Sequence, residues 1–441
     1  MADQRSPSPD RGRGRGARCE VTIEKIVAGG HGLARVDGTS AGEVVLVPRV
    51  AIGERVAVEL DRTKKPARGR LLKVLERSVD RVEPRCPIVD RCGACDLMHL
   101  QPSAQRRARE EIISAALPTS LREMHIELHE ATPARGRTRA RWHVRSIGEG
   151  DRSRAVVGYR AAGTQVVVDV ETCAVLDPRL DAALGHLRAM LASARGEGEV
   201  HAALGAGGNP VLSIVWKGEL PGATYRLAEE LVSTGALAGL QVQLEGARIP
   251  ATIGDPRPLV IAEDGLPLMS PPQGFAQASE VGDAVLVRLV VERAAARDAN
   301  VVELFSGSGN FTVALARDAA HVTAIELVDS ACRAARENLA ARALSGKVKV
   351  VQGDADQSAL PPNTDVVVLD PPRAGAPGAM TAILARKPKR VVYVSCDPPT
   401  LGRDLGKLVE GGYVVGSIDA VDLFPETSHV EVVVTLHKAR R

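Results

Sequence analysis

Between residues 301 and 394 the chain repeats one pattern: a short block of consecutive apolar, mostly β-branched residues, followed by a longer stretch of helical spacing. The blocks fall at 301 to 305, 322 to 325, 348 to 351, 366 to 369 and 391 to 394. Unbroken apolar blocks predict strands buried on both faces, and their alternation with helices predicts a doubly wound, mostly parallel α/β sheet. Ligands of such sheets collect beyond the carboxyl ends of the strands. Upstream, the runs VTIEKI, VVLVPRV, RVAVEL and RLLKVL are punctuated by Gly29-Gly30, Asp37-Gly38 and Pro66, which predicts a small β barrel. Residues 105 to 117 have helical character. Residues 125 to 265 mix strands, at 155 to 159 and 165 to 170, with a helix near 180 to 194, an α+β segment. The start, residues 1 to 18, is arginine, glycine, serine and proline with almost no apolar side chain, and is expected to be disordered. The expected organisation is a basic tail over 1–18, a barrel over 19–79, a central α+β domain over 80–265 and the doubly wound domain over 266–441.

Composition narrows the function classes. A chain of 441 residues is long enough for two or three cores. The formal net charge of +3 conceals basic clusters at 5 to 18, 62 to 73 and 135 to 145, which suit phosphate contacts and equally suit a solvated face. Only ten residues are aromatic, two Trp, four Tyr and four Phe, so base stacking is not a widespread device here. There is no run of eighteen apolar residues, and the start lacks the apolar core of a secretory signal. No membrane association is expected. Seven cysteines in a chain of this size do not make a disulfide framework, and a reducing cytoplasm is the expected location.

The candidate chemistry sits at the ends of the apolar blocks. After 301 to 305, the turn Ser306-Gly307-Ser308-Gly309 allows close backbone approach to a ligand, and Asn310-Phe311 opens a helix. Thr312 stands where a dinucleotide loop would have its third glycine. Glu326, Asp354 and Asp370 end successive blocks. Together these residues suggest an S-adenosylmethionine site in which Glu326 holds the ribose and Asp354 lies near the adenine. Cys396, in Val394-Ser395-Cys396-Asp397-Pro398-Pro399, ends the last block and is expected to face the pocket. Glu431 lies in Ser428-His429-Val430-Glu431. Uracil C5 is a weak nucleophile, so addition of a thiolate to C6 is needed before C5 can take a methyl group. Cys396 suits that addition, and Glu431 suits removal of the C5 proton afterwards. Asp370, on a stiff Asp-Pro-Pro turn, suits the uracil edge or the methyl donor. Cys19 and Cys332 are read as small buried hydrophobes.

Phe275-Ala276-Gln277-Ala278-Ser279, ELFSGSGNF, DPPRAG, SCDPPTLGRDL and FPETSHVE together resemble the RNA uracil-5 methyltransferase family. The resemblance spans residues 20 to 437. It implies a Rossmann-like class I methyltransferase domain, a nucleophile at Cys396 and a proton-abstracting base at Glu431. It also implies donor contacts at Gln277, Phe305, Asn310, Glu326, Asp354 and Asp370, and an aromatic at Phe275 that stacks on a flipped base. Two positions depart from the family pattern: Ser279 stands where asparagine is usual, and Ser306 where cysteine is usual.

Cys86, Cys92 and Cys95 have the spacing C-x5-C-x2-C, with Cys173 far downstream. Four thiolates suit zinc or an iron-sulfur cluster, and spacing alone does not choose. The resemblance to the ribosomal-RNA branch implies a 4Fe-4S cluster on these four. Residues 20 to 78 resemble the TRAM domain, an OB-type barrel, which implies RNA binding. A second basic run surrounds Trp142, itself read as a core residue. By the family resemblance, barrel and cysteine cluster together imply 23S rRNA as substrate, with transfer RNA as the alternative, and a monomer is expected. The rival readings are an amino-group methyltransferase, disfavoured because Arg373 rather than an aromatic follows Asp-Pro-Pro, and a noncatalytic RNA-binding relative.

Overall fold

The computed structural model describes residues 16–36, 42–148 and 154–439. Residues 1–15, most of the arginine-rich start, lie outside them; Ala17 and Arg18 already belong to a strand. The chain forms two compact units, one of residues 1–84 with 96–112, the other of 85–95 with 113–441.

In the first unit, β1 (Ala17–Val27), β2 (His31–Val36), β3 (Glu43–Pro48), β4 (Arg55–Asp61) and β5 (Ala67–Glu76) close a barrel in the order β1-β2-β3-β5-β4. Alternate residues point inward as the sequence period requires, so Val45, Val47, Val56, Val58 and Leu60 are buried together. Glu54 is fully buried at the barrel's edge, where it accepts from Arg81 Nε at 2.6 Å and from the Ala51 amide at 2.8 Å. A buried carboxylate persists only with such partners. Ala104, Ala108 and Ile112 of α1 (Pro102–Ala116) join Ile26, Leu97 and Leu100 in a small neighbouring core.

The second unit holds two sheets and a hairpin. Strands β6 (Ile126–Glu130), β7 (Arg139–Ile147), β8 (Arg154–Arg160) and β9 (Val167–Asp169) lead into α2 (Pro178–Met190). After them come β10 (Arg195–Leu204), β11 (Pro210–Glu219), α3 (Gly222–Ser233), β12 (Gly239–Leu244), β13 (Ala251–Gly254) and the hairpin β14 (Leu259–Ile261) with β15 (Pro267–Met269). The first of these sheets runs β13-β12-β11-β10-β7-β8-β9. Trp142 is fully buried in it and donates to the Tyr159 hydroxyl at 3.2 Å, so its reading as a core residue is met.

The remaining elements are α4 (Glu280–Ala294), β16 (Asn300–Leu304), α5 (Asn310–Asp318), β17 (His321–Glu326), α6 (Asp329–Ala340), β18 (Val348–Gln352), β19 (Val366–Leu369), α7 (Pro377–Arg386), β20 (Arg390–Ser395), α8 (Pro398–Glu410), β21 (Tyr413–Asp422) and β22 (Glu431–Lys438). The sheet order is β18-β17-β16-β19-β20-β22-β21-β6, with the five strands from β18 to β20 parallel. The doubly wound α/β fold is thus the observed one. Each apolar block serves two cores by turns: Val302, Leu304, Val367, Leu369, Val391 and Tyr393 face one, while Val301, Val366, Val368, Val392 and Val394 face the other. β6 departs from expectation. Read in the sequence as the opening of the central α+β segment, it pairs in parallel with β21 and completes the catalytic sheet, burying Ile126 and Leu128. Among the described residues no helix is long and apolar enough to cross a membrane.

Candidate active site

The chain reverses its winding between β16 and β19, and the site gathers at their carboxyl ends. Phe305 directly follows β16, and its φ of 62° is sterically disfavoured for a non-glycine residue. Gly307 and Gly309 follow with φ of 55° and 88°, conformations that suit glycine. The turn is tied to the end of β17: the Gly307 amide donates to Glu326 Oε2 at 2.9 Å, and the Val328 amide to Oε1 at 2.8 Å. Each carboxylate oxygen keeps a further lone pair. Asp354, after β18, accepts from the Asp356 amide at 3.0 Å and from Gln357 Nε2 at 2.8 Å. Asn310, the first residue of α5, donates through Nδ2 to Asp283 Oδ1 at 2.7 Å.

Beneath the glycine turn, Glu303 is 2 % exposed and accepts from the Thr312 hydroxyl at 2.6 Å. The position that lacks the third glycine therefore carries a bond a glycine could not make. Burial, with the Asp370 and Glu326 charges, pushes the Glu303 carboxyl up to about 8.

Cys396, Glu431, Asp370 and Arg373 form one electrostatic group. Cys396 follows β20 and directly precedes Asp397, whose carboxylate caps α8 by accepting from the Thr400 amide at 3.0 Å. The thiol is partly exposed. Burial and the Glu431 and Asp370 charges push it up to about 11, against the Arg373 guanidinium, which lowers it by charge and by a hydrogen bond. The positive end of α8 acts in the same direction as Arg373. Glu431 opens β22 and is 3 % exposed, and its Oε2 has no hydrogen-bond partner. Desolvation, then the Asp370 charge, hold its carboxyl well above the ordinary range. Asp370 is pushed up to about 7 by desolvation and by Asp283.

Gln277 is buried with Oε1 unpartnered, while Phe275, two residues earlier, is 73 % exposed. The segment between is held by β7: the Thr138 amide donates to the Ala278 carbonyl at 2.9 Å, and Arg139 to the Gly274 carbonyl at 2.9 Å. Ser279 caps α4, its hydroxyl accepting from the Gly282 amide at 3.2 Å, a task serine performs well. Ser306 is buried with its hydroxyl unpartnered. Three residues of this region escaped the sequence reading. Arg373 was noted only as a missing aromatic, although its place three residues after Asp370 was a usable signal. Asp283 gave none, because it belongs to no apolar block end, and Arg139 was legible only as one member of the basic run.

The basic run around Trp142 is partly consumed by internal contacts: Arg135 bonds Asp181 at 2.9 Å, Arg137 the Pro425 carbonyl at 3.0 Å, and Arg141 Glu199 at 2.6 Å. In the barrel, Lys64, Lys65 and Arg68 are exposed. Cys92, Cys95 and Cys173 lie near enough for the charges of Cys173 and Cys92 to raise Cys95, which desolvation and these charges push to about 12. Among the described residues, however, no group of three or more His, Cys, Asp or Glu side chains is arranged to hold a metal ion. The expected tetra-cysteine centre does not appear as a formed ligand set.

Three family profiles match the chain: TRAM domain over residues 12–72, Conserved hypothetical protein 95 over 290–399, and tRNA (Uracil-5-)-methyltransferase over 361–439. The chain is 33% identical over 428 residues to the 23S rRNA (uracil(1939)-C(5))-methyltransferase RlmD of Pectobacterium atrosepticum, covering 93% of this chain and 92% of that one. To the protein of the same name from Salmonella typhimurium it is 33% identical over 426 residues, covering 95% and 96%. Among solved structures, Pyrococcus abyssi tRNA (uracil-54, C5)-methyltransferase in complex with S-adenosyl-L-homocysteine superposes with a TM-score of 0.74 at 22% identity, over 94% of this chain and 100% of that one, a likeness of fold. With relatives this similar along nearly its whole length, the chain belongs to the RNA (uracil-5-)-methyltransferase family.

Proposed function

We propose that the chain uses S-adenosylmethionine to methylate C5 of a uridine in 23S rRNA. The relatives' names support the substrate, and one observation supports the chemistry: a thiol and a buried carboxyl with one oxygen, Glu431 Oε2, unpartnered share a single electrostatic group at the strand ends. The Cys396 thiolate, favoured by Arg373, adds to uracil C6 and moves the ring electrons toward C5 and O4. S-adenosylmethionine, when bound, would supply an electrophilic methyl group to C5, its S–CH3 bond breaking to leave S-adenosylhomocysteine. Gln277, Phe305, Asn310, Glu326, Asp354 and Asp370 hold the donor, and Phe275, exposed on its loop, stacks on the flipped base. The Glu431 carboxylate takes the C5 proton, the C5–C6 double bond re-forms and the Cys396 thiolate leaves. A carboxylate in a dry site is a stronger base than one in water, which suits this step.

A cytoplasmic location is proposed with this substrate, together with the monomeric state expected from the sequence. A 4Fe-4S cluster on Cys86, Cys92, Cys95 and Cys173 is also proposed, supported by the cysteine spacing and the family resemblance alone; the methyl transfer needs no electron from it. Iron and acid-labile sulfide in anaerobically purified protein test it, and their absence from wild type would end it.

The function is tested by incubating wild type and Cys396→Ala with labelled donor and unmodified 23S or transfer RNA. Label in 5-methyluridine of 23S rRNA with wild type, and none with the variant, is expected. Label in transfer RNA alone would replace the substrate, and equal rates for the two proteins would end the covalent mechanism.

A further inference from the structure

We infer that Asp283 is a positioning residue that fixes the side chain of Asn310 and imposes its charge on Asp370, coupling methyl-donor binding to the ionisation of the pocket. This rests on the proposed roles of Asn310 and Asp370 as donor contacts.

Asp283 lies in the first turn of α4 and is 8 % exposed. A carboxylate is favoured in a first helical turn and is rarely buried without a partner. The capping work there is already done by Ser279. Asp283 instead reaches across to α5 and accepts from Asn310 Nδ2 at 2.7 Å. The groups facing Asp283 come from four elements: Glu280 on its own helix, Arg139 from β7, Asn310 from α5 and Asp370 beyond β19. Burial, with Glu280, pushes Asp283 up to about 6, while Asn310 and Arg139 oppose the rise. Asp370 is in turn raised by burial and then by the Asp283 charge. An amide at this position would make the same hydrogen bond with no charge. The two functions are therefore separable.

The test compares full-length wild type, Asp283→Asn and Asp283→Ala by calorimetry with S-adenosylhomocysteine and by methyl transfer to 23S rRNA transcript across the neutral pH range. Asp283→Asn should bind S-adenosylhomocysteine within about twofold of wild type, and the pH midpoint of that binding should move to the acid side, because Asp370, the proposed donor contact, then ionises more readily. Asp283→Ala should bind about tenfold more weakly. Thermal melting confirms that each variant is folded, and the isosteric amide keeps the test open if the alanine variant is not. An unmoved midpoint in Asp283→Asn, or wild-type affinity in Asp283→Ala, would overturn the inference while leaving the proposed function standing. Wild-type protein that binds no S-adenosylhomocysteine would overturn both.

Discussion

Arg373 lies close enough to Cys396 for its guanidinium to lower the thiol, against burial and the charges of Glu431 and Asp370. A thiol held at about 11 is a poor nucleophile near neutrality unless something offsets that rise. Arg373 already acts within that value, so the further offsets are the positive end of α8 and the bound substrate. Arg373→Ala should move the pH midpoint of Cys396 alkylation by iodoacetamide further up and cut kcat/KM about tenfold or more. Arg373→Lys should recover part of the loss by charge alone. Peptide mass spectrometry reads the modified cysteine, and an unchanged midpoint in the alanine variant would separate Arg373 from the nucleophile.

Glu431→Gln should leave addition and methyl transfer possible and block proton removal. The variant should therefore accumulate a covalent protein–RNA complex, visible as a shifted band in a denaturing gel, with turnover reduced by about 10² or more. The double variant with Cys396→Ala should show no such band.

The buried Glu303 makes stability depend on pH. Its folded-state carboxyl is raised to about 8, so folding favours the protonated form. The contribution is full below the ordinary glutamate range and is lost as pH rises through about 8. Glu303→Gln keeps an acceptor for Thr312 and removes the ionisation. Urea unfolding should find the variant gaining on wild type steadily from acid to alkaline pH; parallel curves would show that Glu303 does not titrate on unfolding.

A Cβ added at Gly402 in α8 would stand 1.9 Å from the Ala116 carbonyl oxygen, a backbone atom with no rotamer to change. Gly402→Ala should cost about 1–3 kcal/mol of stability, read from denaturant midpoints. No loss would mean that the end of α1 is free to shift.

Local pattern carried the catalytic sheet well: the five apolar blocks became β16 to β20 with ends displaced by a residue at most, because burial on both faces leaves no alternation to misread. The ends of those blocks carried Glu326, Asp354, Asp370 and Cys396 for the same reason. What stayed hidden depends on partners distant in sequence. Ile126 and Leu128 look like any short alternating strand, and only the uncovered edge of β21 tells where they go. Asp283 reads as one acid in a helix until α5 lies beside it, and Arg139 as one of several basic residues until the Gly274 carbonyl meets it.

The placement of β6 bears on how the enzyme can be dissected. A fragment starting at the methyltransferase half would expose the apolar flank of β21 that Ile126 and Leu128 cover, and would lose the His129 contact to Asp419 at 3.2 Å. Nature's route to a smaller version of this enzyme would have to carry that short upstream segment along or seal the raw margin anew, so deletions of the intervening region are better made as internal loops than as truncations.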